Sequence, residues 1–364
     1  MTTEYYTKAL ELAKERGDKR QEAEAYLGLG YACKYNNQND KAITYYEKAC
    51  KISKDRNDKE QEGKVYLGLG EVYKSSSRFP RAIEHYQKAL EIAEERDDKL
   101  QVLEASLGLG VAYKLSNQFQ PAIYHYDKAL KIAKEKGNKQ QETGARFGLG
   151  EAFHLCNQIQ NAINTYEEAL KIAKEREDKY HETEARLWLG NTYKLNNQIQ
   201  LAIDNYDKSL EIAKIQKDKR QETEAYFGLG HAHKVNGNIQ LAIDYYGTAL
   251  EISSGRKNKR LVTEAYLALG DIYRLDDQVQ LAIEYYRKAL NIAKERGDKR
   301  QETDAYLWLG HTYKLNNQIQ VAVQQYEKAL EIAKEQNDKR QEAEAYFGLA
   351  DAKKFEEKEG SGRQ

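Results

Sequence analysis

The chain has 364 residues, with 58 Lys and Arg against 58 Asp and Glu, so its formal net charge is zero. A neutral chain lacks the basic excess of a general nucleic-acid binder or of a protein that binds anionic membranes. No apolar run approaches the roughly 20 residues of a membrane-spanning helix, and the N-terminus does not read as a signal peptide. With 40% apolar residues, 28 Tyr and only 2 Pro, the composition predicts a soluble, ordered and mostly helical protein.

The three cysteines, Cys33, Cys50 and Cys156, are an odd number and do not have the spacing of a metal site. We interpret them as reduced thiols that pack in the interior. Reduced thiols are typical of a reducing compartment, which predicts a cytoplasmic location.

A 40-residue repeat runs along nearly the whole chain. A Leu-Gly pair occurs eight times in register, from Leu29-Gly30 to Leu309-Gly310, and a ninth copy has become Leu349-Ala350. Ala-Ile pairs recur in step, and no insertion or deletion interrupts the register. Such self-similarity is typical of a stacked array, and it excludes a set of independent globular domains.

The first half of each repeat predicts an amphipathic helix, from Asp18 to Asn36 in the first copy. Asp18 stands where an N-cap belongs, and Gln21 has the spacing of a reciprocal capping box. Asp or Asn recurs at this position in all nine copies. Glycine or asparagine precedes it in several copies, as at Gly17 and Asn57, and suits the left-handed residue that ends the preceding helix.

The second half predicts another amphipathic helix, from about Asp40 to Arg56. Both prolines, Pro80 and Pro121, fall in the first turn of this helix, where a missing backbone donor is tolerated. Small residues, Gly30 and Ala42 in the first copy, mark where the two helices would cross closely.

These patterns predict one all-α solenoid over residues 1–358, because each helix pair can bury its apolar stripe only against its neighbours. The array has eight 40-residue helix pairs from 18 to 337. An unpaired helix over residues 2–17 precedes them, a capping helix over 338–358 follows, and residues 359–364 form a flexible tail.

The repeat resembles the tetratricopeptide-repeat family. The motif residues in the second copy are Tyr66, Leu69, Gly70, Tyr73, Ala82, Tyr86 and Ala89. The chain departs from the common 34-residue form by six extra residues and by lacking the closing proline. It is similar to the 40-residue variety of Partner-of-Inscuteable (Leu-Gly-Asn type) adaptors and of the sensor arrays of signalling ATPases. The resemblance implies a right-handed superhelix of antiparallel helix pairs, with a concave groove that is lined by the first helices and binds proteins or peptides.

The sequence does not contain a recognisable catalytic constellation. The Gly-Leu-Gly motif lies inside a predicted helix and lacks the setting of a phosphate-binding loop. His231 and His233 point off different faces of one helix, and His231 and His311 are two repeats apart, roughly 20 Å at about 10 Å per packed helix. We therefore predict that the protein is not an enzyme and holds no metal or cofactor.

Residues 40 apart form columns on the predicted groove face, and two of the columns are charged. Both suit the helix dipole, with acids in the first turn and bases in the last turn. They also form two rails of opposite charge about 15 Å apart, which favours a ligand with acidic groups along one edge. The acidic column is Glu24, Glu104, Glu184, Glu224, Glu264, Asp304 and Glu344, interrupted by Lys64 and Gly144. The basic column is Lys34, Lys74, Lys114, His154, Lys194, Lys234, Arg274, Lys314 and Lys354.

Three further columns lie between the rails. The floor column is apolar: Leu27, Leu67, Leu107, Phe147, Leu187, Phe227, Leu267 and Leu307. The glycine column is Gly28 and its equivalents, replaced by Trp188, Ala268 and Trp308. The variable column is Tyr31, Glu71, Val111, Glu151, Asn191, His231, Asp271 and His311. Tryptophan is enriched among interface anchors, so both tryptophans are predicted hot spots; packing against the adjacent helix is the alternative.

The columns of the third to eighth repeats predict the ligand-binding residues. They are Leu107, Val111, Lys114, Phe147, Glu151, His154, Leu187, Trp188, Asn191, Lys194, Phe227, His231, Lys234, Leu267, Asp271, Arg274, Leu307, Trp308, His311 and Lys314. The resemblance does not extend to a carboxylate clamp, which has Lys in the floor column and Asn in the variable column; here Asn occurs there only once. G-protein-binding motifs are absent as well.

Three functions fit these observations. The leading hypothesis is an interaction scaffold for a protein or peptide with apolar and acidic side chains. The second is self-association, in which the apolar stripe of residues 2–16 stacks on another copy and builds filaments. The third is an idealised repeat array without an evolved partner.

Overall fold

The computed structural model describes the backbone of residues 2–361 and the side chains of residues 2–354. This part of the chain consists of 18 α-helices and contains no strand. The first helices of the repeats are α2 (Lys19–Tyr35), α4 (Lys59–Ser75), α6 (Lys99–Leu115), α8 (Lys139–Leu155), α10 (Lys179–Leu195), α12 (Lys219–Val235), α14 (Lys259–Leu275), α16 (Lys299–Leu315) and α18 (Lys339–Ser361). The second helices are α1 (Thr2–Glu15), α3 (Asn39–Asp55), α5 (Phe79–Glu95), α7 (Phe119–Glu135), α9 (Ile159–Glu175), α11 (Ile199–Gln216), α13 (Ile239–Gly255), α15 (Val279–Arg296) and α17 (Ile319–Glu335).

The helices group into two compact units, Met1–Ala185 and Arg186–Gln364. Within each unit, a helix packs against the helix that follows it in the chain, as in α4 against α5 or α14 against α15. The predicted all-α solenoid architecture is confirmed, with helix pairs stacked in chain order.

The first helices begin where the predicted N-caps stand. The Asp18 carboxylate accepts hydrogen bonds from the backbone N–H groups of Arg20 and Gln21, both at 3.0 Å. The reciprocal half of the predicted capping box does not form. The Asp18 N–H instead donates to the Ala13 carbonyl at 2.9 Å, which closes the end of the preceding helix and leaves Gln21 without that partner.

The turns between repeats contain the predicted left-handed residues. Gly17 and Gly297 have φ values of 66° and 64°, and Asn57 and Asn337 have values of 55° and 54°. Pro80 lies in the first turn of α5, as predicted. Local signals in the sequence therefore place the ends of the helices correctly to within one or two residues.

The centre of each repeat is a tyrosine from the second helix, and five of these eight tyrosines lie between two glycines. A Cβ atom on Gly30 would lie 2.5 Å from the ring of Tyr46, and one on Gly68 in the next repeat would lie 2.7 Å from the same ring. These separations are shorter than carbon atoms tolerate, so a hydrogen in place of the side chain is required there. The fully buried tyrosine column is Tyr46, Tyr86, Tyr126, Tyr166, Tyr206, Tyr246, Tyr286 and Tyr326.

The first helices also contact each other directly. In the first unit α2 touches α4, α4 touches α6 and α6 touches α8; in the second unit α14 touches α16 and α16 touches α18. Within each unit the first helices thus form the more closely packed layer, and the residue columns follow the surface of that layer to different depths. We call this surface the first-helix face.

The two ends differ in detail from the sequence-based expectations. Leu10 and Ala13 are buried, and Tyr6 lies over Gly28 of α2, so α2 covers part of the predicted open stripe of residues 2–16, while Tyr6 and Ala9 stay exposed. Helix α18 continues to Ser361, and residues 362–364 of the predicted tail lie outside the described residues. No helix in the described part of the chain is long and apolar enough to cross a membrane.

Candidate functional site

The floor column is more deeply buried than a ligand-contact surface would be. In the second unit Leu187, Phe227 and Leu307 are buried, with 2–6% of their surface exposed. In the first unit Phe147 is buried as well, whereas Leu107 is half-buried. Leu267 is also half-buried and packs against the core around Tyr286. Four of the eight residues of the predicted apolar floor therefore belong to the core between repeats, because these side chains insert between neighbouring helices, and the other four are half-buried.

A cavity of about 360 Å³ opens on the first-helix face of the first unit. Gly68 and Gly108 have no side chain to fill this space, while Leu67, Leu107 and Val111 supply an apolar lining. The remaining lining residues are Tyr31, Glu71, Lys74, Tyr86 and Glu104. The cavity has the size and lining to admit one apolar side chain of a ligand.

In the second unit, tryptophans occupy two places of the glycine column. Trp308 stacks on Tyr286 with ring centroids 6.3 Å apart and an interplanar angle of 9°. The Arg274 guanidinium lies 5.3 Å from the Trp308 ring centroid, and the His311 ring lies 5.6 Å from it. Trp188 and Trp308 are both half-buried. Trp308 therefore packs against its neighbours, and only the rest of its surface is open to a ligand.

The variable column points inward as well as outward, because four of its polar side chains bind hydroxyl groups of the tyrosine column. Tyr86 donates to Glu71 at 2.6 Å and Tyr206 to Asn191 at 2.7 Å. His231 and His311 each place Nδ1 2.8 Å from a tyrosine hydroxyl, those of Tyr246 and Tyr326. Where the column holds Tyr31 or Val111, the buried hydroxyls of Tyr46 and Tyr126 have no partner among the described residues.

The basic column is neutralised by acids of the variable column one repeat further on. Lys34 lies 3.5 Å from Glu71, Lys234 lies 2.8 Å from Asp271, and Lys314 lies 3.1 Å from Asp351, which continues the variable column in α18. Lys114 makes the same ion pair with Glu151. Lys74 and Arg274 pair with the acid on their own helix, at 2.8 and 2.5 Å, and His154 is half-buried. The predicted continuous basic rail is thus interrupted, because the variable column supplies carboxylates to it.

Lys194 is the exception among the basic-column lysines of the eight complete repeats. Its counterpart one repeat on is His231, and Lys194 has no ion-pair partner among the described residues. Burial and the nearby charge of Lys234 lower the pKa of the Lys194 ammonium. Burial, Lys194 and Lys234 lower the pKa of His231 to about 3 against a smaller opposing effect of Asp271. His231 is therefore neutral at pH 7 and leaves the charge of Lys194 uncompensated.

The acidic column lies at the other end of the first helices. Glu24, Glu224 and Glu264 pair with arginines one turn earlier, at 3.3, 2.9 and 3.5 Å. Burial raises the pKa of Glu104 and of Asp304, and Asp304 accepts a hydrogen bond from the Gln341 amide at 2.7 Å. This edge of the first-helix face is acidic and is only partly neutralised by its arginines.

Comparison with known proteins agrees with this geometry. The sequence model of the tetratricopeptide repeat matches residues 3–55, 61–135 and 221–295, and two further tetratricopeptide-repeat models match residues 145–180, 183–216 and 303–336. The chain belongs to the tetratricopeptide-repeat family. No curated protein matched the sequence.

Solved structures share the tetratricopeptide-repeat fold at low sequence identity. The apo form of RapI is 18% identical, with a TM-score of 0.61 over 76% of this chain and 99% of RapI. A signal transduction ATPase with a tetratricopeptide-repeat sensor, from Pyrococcus horikoshii, is 18% identical, with a TM-score of 0.62 over 92% of this chain and 50% of the ATPase. A Rap protein complexed with Competence and Sporulation Factor is 18% identical, with a TM-score of 0.55 over 92% of this chain and 98% of the Rap protein. At such identities the likeness establishes the fold.

One column of this tetratricopeptide-repeat array, that of Tyr35, belongs to the groove face by its periodicity but was not included among the predicted ligand-binding residues. The last residue of each first helix is apolar in seven of the eight complete repeats, with Ser75 as the exception. Its leucines are 48–60% exposed. The signal was the recurrence of an apolar residue directly before the polar connector. We call these residues the apolar ladder: Tyr35, Leu115 and Leu155 in the first unit, and Leu195, Val235, Leu275 and Leu315 in the second unit.

Proposed function

We propose that the chain is an interaction scaffold that binds an extended peptide segment of a partner protein along its first-helix face. The observation that carries this proposal is the apolar ladder, which places a mostly leucine, half-exposed side chain at the end of nearly every first helix. Aligned exposed apolar side chains are unfavourable in water, and they are typical of a surface that is covered by a partner.

The ladder and the charges around it define the chemistry of the ligand. Successive first helices lie about 10 Å apart, and an extended peptide advances about 3.3 Å per residue. One ligand side chain in about every three therefore meets a ladder position. The ligand is expected to carry apolar residues at that interval, and the cavity beside Gly68 and Gly108 accommodates one of them.

The solved structures support the proposal at the level of the fold. A Rap protein is complexed with Competence and Sporulation Factor, and the ATPase carries a tetratricopeptide-repeat sensor. Arrays of this fold thus serve recognition in other proteins. The proposal includes the cytoplasmic location that the reduced thiols predict, and it assigns the chain no catalytic role.

Selection from a random peptide library on the full chain tests the proposal. Peptides with apolar residues about three apart should be enriched. Changing Leu195 and Leu275 together to Ser should lower the affinity for these peptides by roughly tenfold or more. The matched control changes Leu201 and Leu281 to Ser, since these leucines are also exposed but lie on second helices. Equal affinity for the ladder variant and the control would exclude the ladder as the binding surface.

Self-association is the second candidate function, and exposed apolar residues on the first and last helices of the chain favour it. Tyr5 and Leu12 are exposed on α1, and Tyr346 and Phe347 are exposed on α18. Association would use this outer face of α1, because the stripe with Leu10 and Ala13 is already buried. Light scattering over a concentration series tests it: a mass that grows with concentration and returns to the monomer in Leu12→Ser supports stacking, and a constant monomer mass excludes it.

A further inference from the structure

Asn191, Lys194 and His231 in the second unit form a group of hydrogen-bond donors, and no carboxylate among the described residues pairs with Lys194. We propose that this cluster binds a carboxylate of the peptide ligand, which orients the peptide on the first-helix face. The inference rests on the proposed peptide-binding function and adds to it the class of group recognised at one site.

The charge of the site comes from Lys194. In four other places a basic-column lysine is neutralised by a carboxylate of the variable column in the next repeat, as Lys234 is by Asp271 at 2.8 Å. At Lys194 that position holds His231 instead. The site therefore corresponds to one of these ion pairs with the acidic partner replaced, and Lys194 is half-buried.

The direction of the donor on His231 is set by a buried tyrosine. The Tyr246 hydroxyl lies 2.8 Å from His231 Nδ1, and it has no other acceptor among the described residues. The hydroxyl proton is satisfied only if Tyr246 donates to Nδ1. The proton of the neutral imidazole is then on Nε2, so His231 offers an N–H to the site rather than a lone pair.

Asn191 is oriented in the same way. The Tyr206 hydroxyl donates to Asn191 Oδ1 at 2.7 Å, which leaves the amide NH₂ group of Asn191 available. Asn191 precedes Lys194 by three residues on α10, so the two side chains lie on one face of the helix. In the first unit, Glu71 occupies the position that His231 has here. Its carboxylate lies 3.5 Å from Lys34, the counterpart of Lys194, and 2.8 Å from Lys74 on its own helix.

The three groups together select an anion with acceptor oxygens. An ammonium, an amide NH₂ and an imidazole N–H can each donate, and a carboxylate has only acceptors to offer in return. Hydrogen bonds with an ionised partner are about twice as strong as neutral ones. The next carboxylate along the column, Asp271, is already held by Lys234 and Arg274 and does not compete for Lys194.

Two small probes test the site on the full chain. N-acetylglutamate α-amide carries only a side-chain carboxylate, and N-acetylalanine carries only a main-chain carboxylate. Binding is followed by NMR of the His231 ring, with N-acetylglutamine amide as the neutral control. We expect a saturable shift with at least one acidic probe, and the probe that binds identifies the source of the carboxylate. The absence of a shift with both acidic probes would overturn the inference.

Substitutions then assign the binding to this cluster. Lys194→Gln should lower the affinity for the acidic probe by roughly tenfold. His231→Asp should abolish binding, because it supplies the missing carboxylate from within the chain. In both variants the NMR signals of the probe itself are followed. Four other repeats carry an acid at that register, so the second variant should fold. The control Lys114→Gln removes a lysine that is already paired with Glu151 and should bind normally. Unchanged affinity in Lys194→Gln or His231→Asp would contradict the site.

The peptide library separates this inference from the proposed function. Enriched peptides should carry Asp, Glu or a free C-terminus at one fixed place, and that preference should disappear in Lys194→Gln but persist in Lys114→Gln. Peptides that depend on the apolar ladder but have no acidic preference would refute the carboxylate site and leave the scaffold function standing. Probe binding at Lys194 without any enriched peptide would refute the scaffold function alone.

Discussion

The two units are built from the same helix pair and differ on the first-helix face. In the first unit the glycine column is complete, with Gly28, Gly68, Gly108 and Gly148, and a cavity opens above it. In the second unit the equivalent positions are Trp188, Gly228, Ala268 and Trp308. One scaffold thus carries an open surface in one unit and a surface partly filled by aromatic rings in the other.

The charges of the units differ in the same columns. Lys34, Lys74 and Lys114 of the first unit all pair with carboxylates of the variable column. The second unit has polar Asn191, His231 and His311 in that column, and Lys194 has no carboxylate partner there. The buried tyrosine column is the same in both units. The difference in surface charge therefore comes from the substitutions in the variable column.

The largest expected effect tests the close contact between glycine and buried tyrosine, which both units contain. Gly30→Ala should destabilise the fold by about 3 kcal/mol, because the new Cβ would lie 2.5 Å from the buried Tyr46 ring. The measurement is the urea unfolding midpoint. Gly144→Ala is the matched control: nothing lies within 4 Å of that Cβ position, so it should stabilise its helix by up to about 1 kcal/mol. A Gly30→Ala variant as stable as the parent would show that the Tyr46 ring does not require a glycine at this position.

Trp308→Ala would make the second unit more like the first. We expect a loss of about 2 kcal/mol, below the usual cost of truncating a fully buried tryptophan, since Trp308 is half-buried. Thermal unfolding gives the stability, and the peptide library gives the affinity. A stability loss with unchanged peptide affinity would assign Trp308 to packing against Tyr286 and Arg274, whereas weaker peptide binding would support it as an anchor.

The pH dependence of stability reports on the burial of His231 in the second unit. Its pKa of about 3 in the folded state lies below the 6.5 of an exposed histidine. The unfolded chain therefore gains a proton first as the pH falls, and stability is lost from about pH 6.5 downwards. His231→Asn copies the Asn191 arrangement and should remove about 1.4 kcal/mol of this loss at pH 5.5. Urea unfolding at pH 7.5 and 5.5 measures it; identical losses in parent and variant would contradict the assignment.

The smallest effect converts a neutralised site of the first unit into an uncompensated one. Glu71→Gln leaves Lys34 and Lys74 without their carboxylate, and we expect a loss of about 1 kcal/mol. The same change should create affinity for the acidic probe near Tyr86. Glu91→Gln, at an exposed glutamate, is the control. If Glu71→Gln gains no affinity for the acidic probe, a missing acid alone does not make a carboxylate site.

Much of this architecture was predictable because its signals are local. Asp18 and Gly17 mark a helix boundary through bonds to the adjacent backbone, and the 40-residue register then repeats that boundary along the chain. The Gln21 half of the capping box failed because the Asp18 N–H was taken by Ala13. The floor column was placed on the correct helices, but Leu187 and Leu307 turn into the core, since periodicity gives the face of a helix and not the depth of a side chain.

The sequence by itself determined the family, the helix pairs, the close approach at Gly30 and the columns of residues on the first helices. These follow from capping, periodicity and a repeat without insertions. Only the tertiary structure decided which charged side chains are neutralised by a partner and which are not. Lys34 meets Glu71 across 37 residues, and the hydroxyl of Tyr246 turns His231 into a donor. Such partners lie on other helices, and their distances exist only after the helices pack.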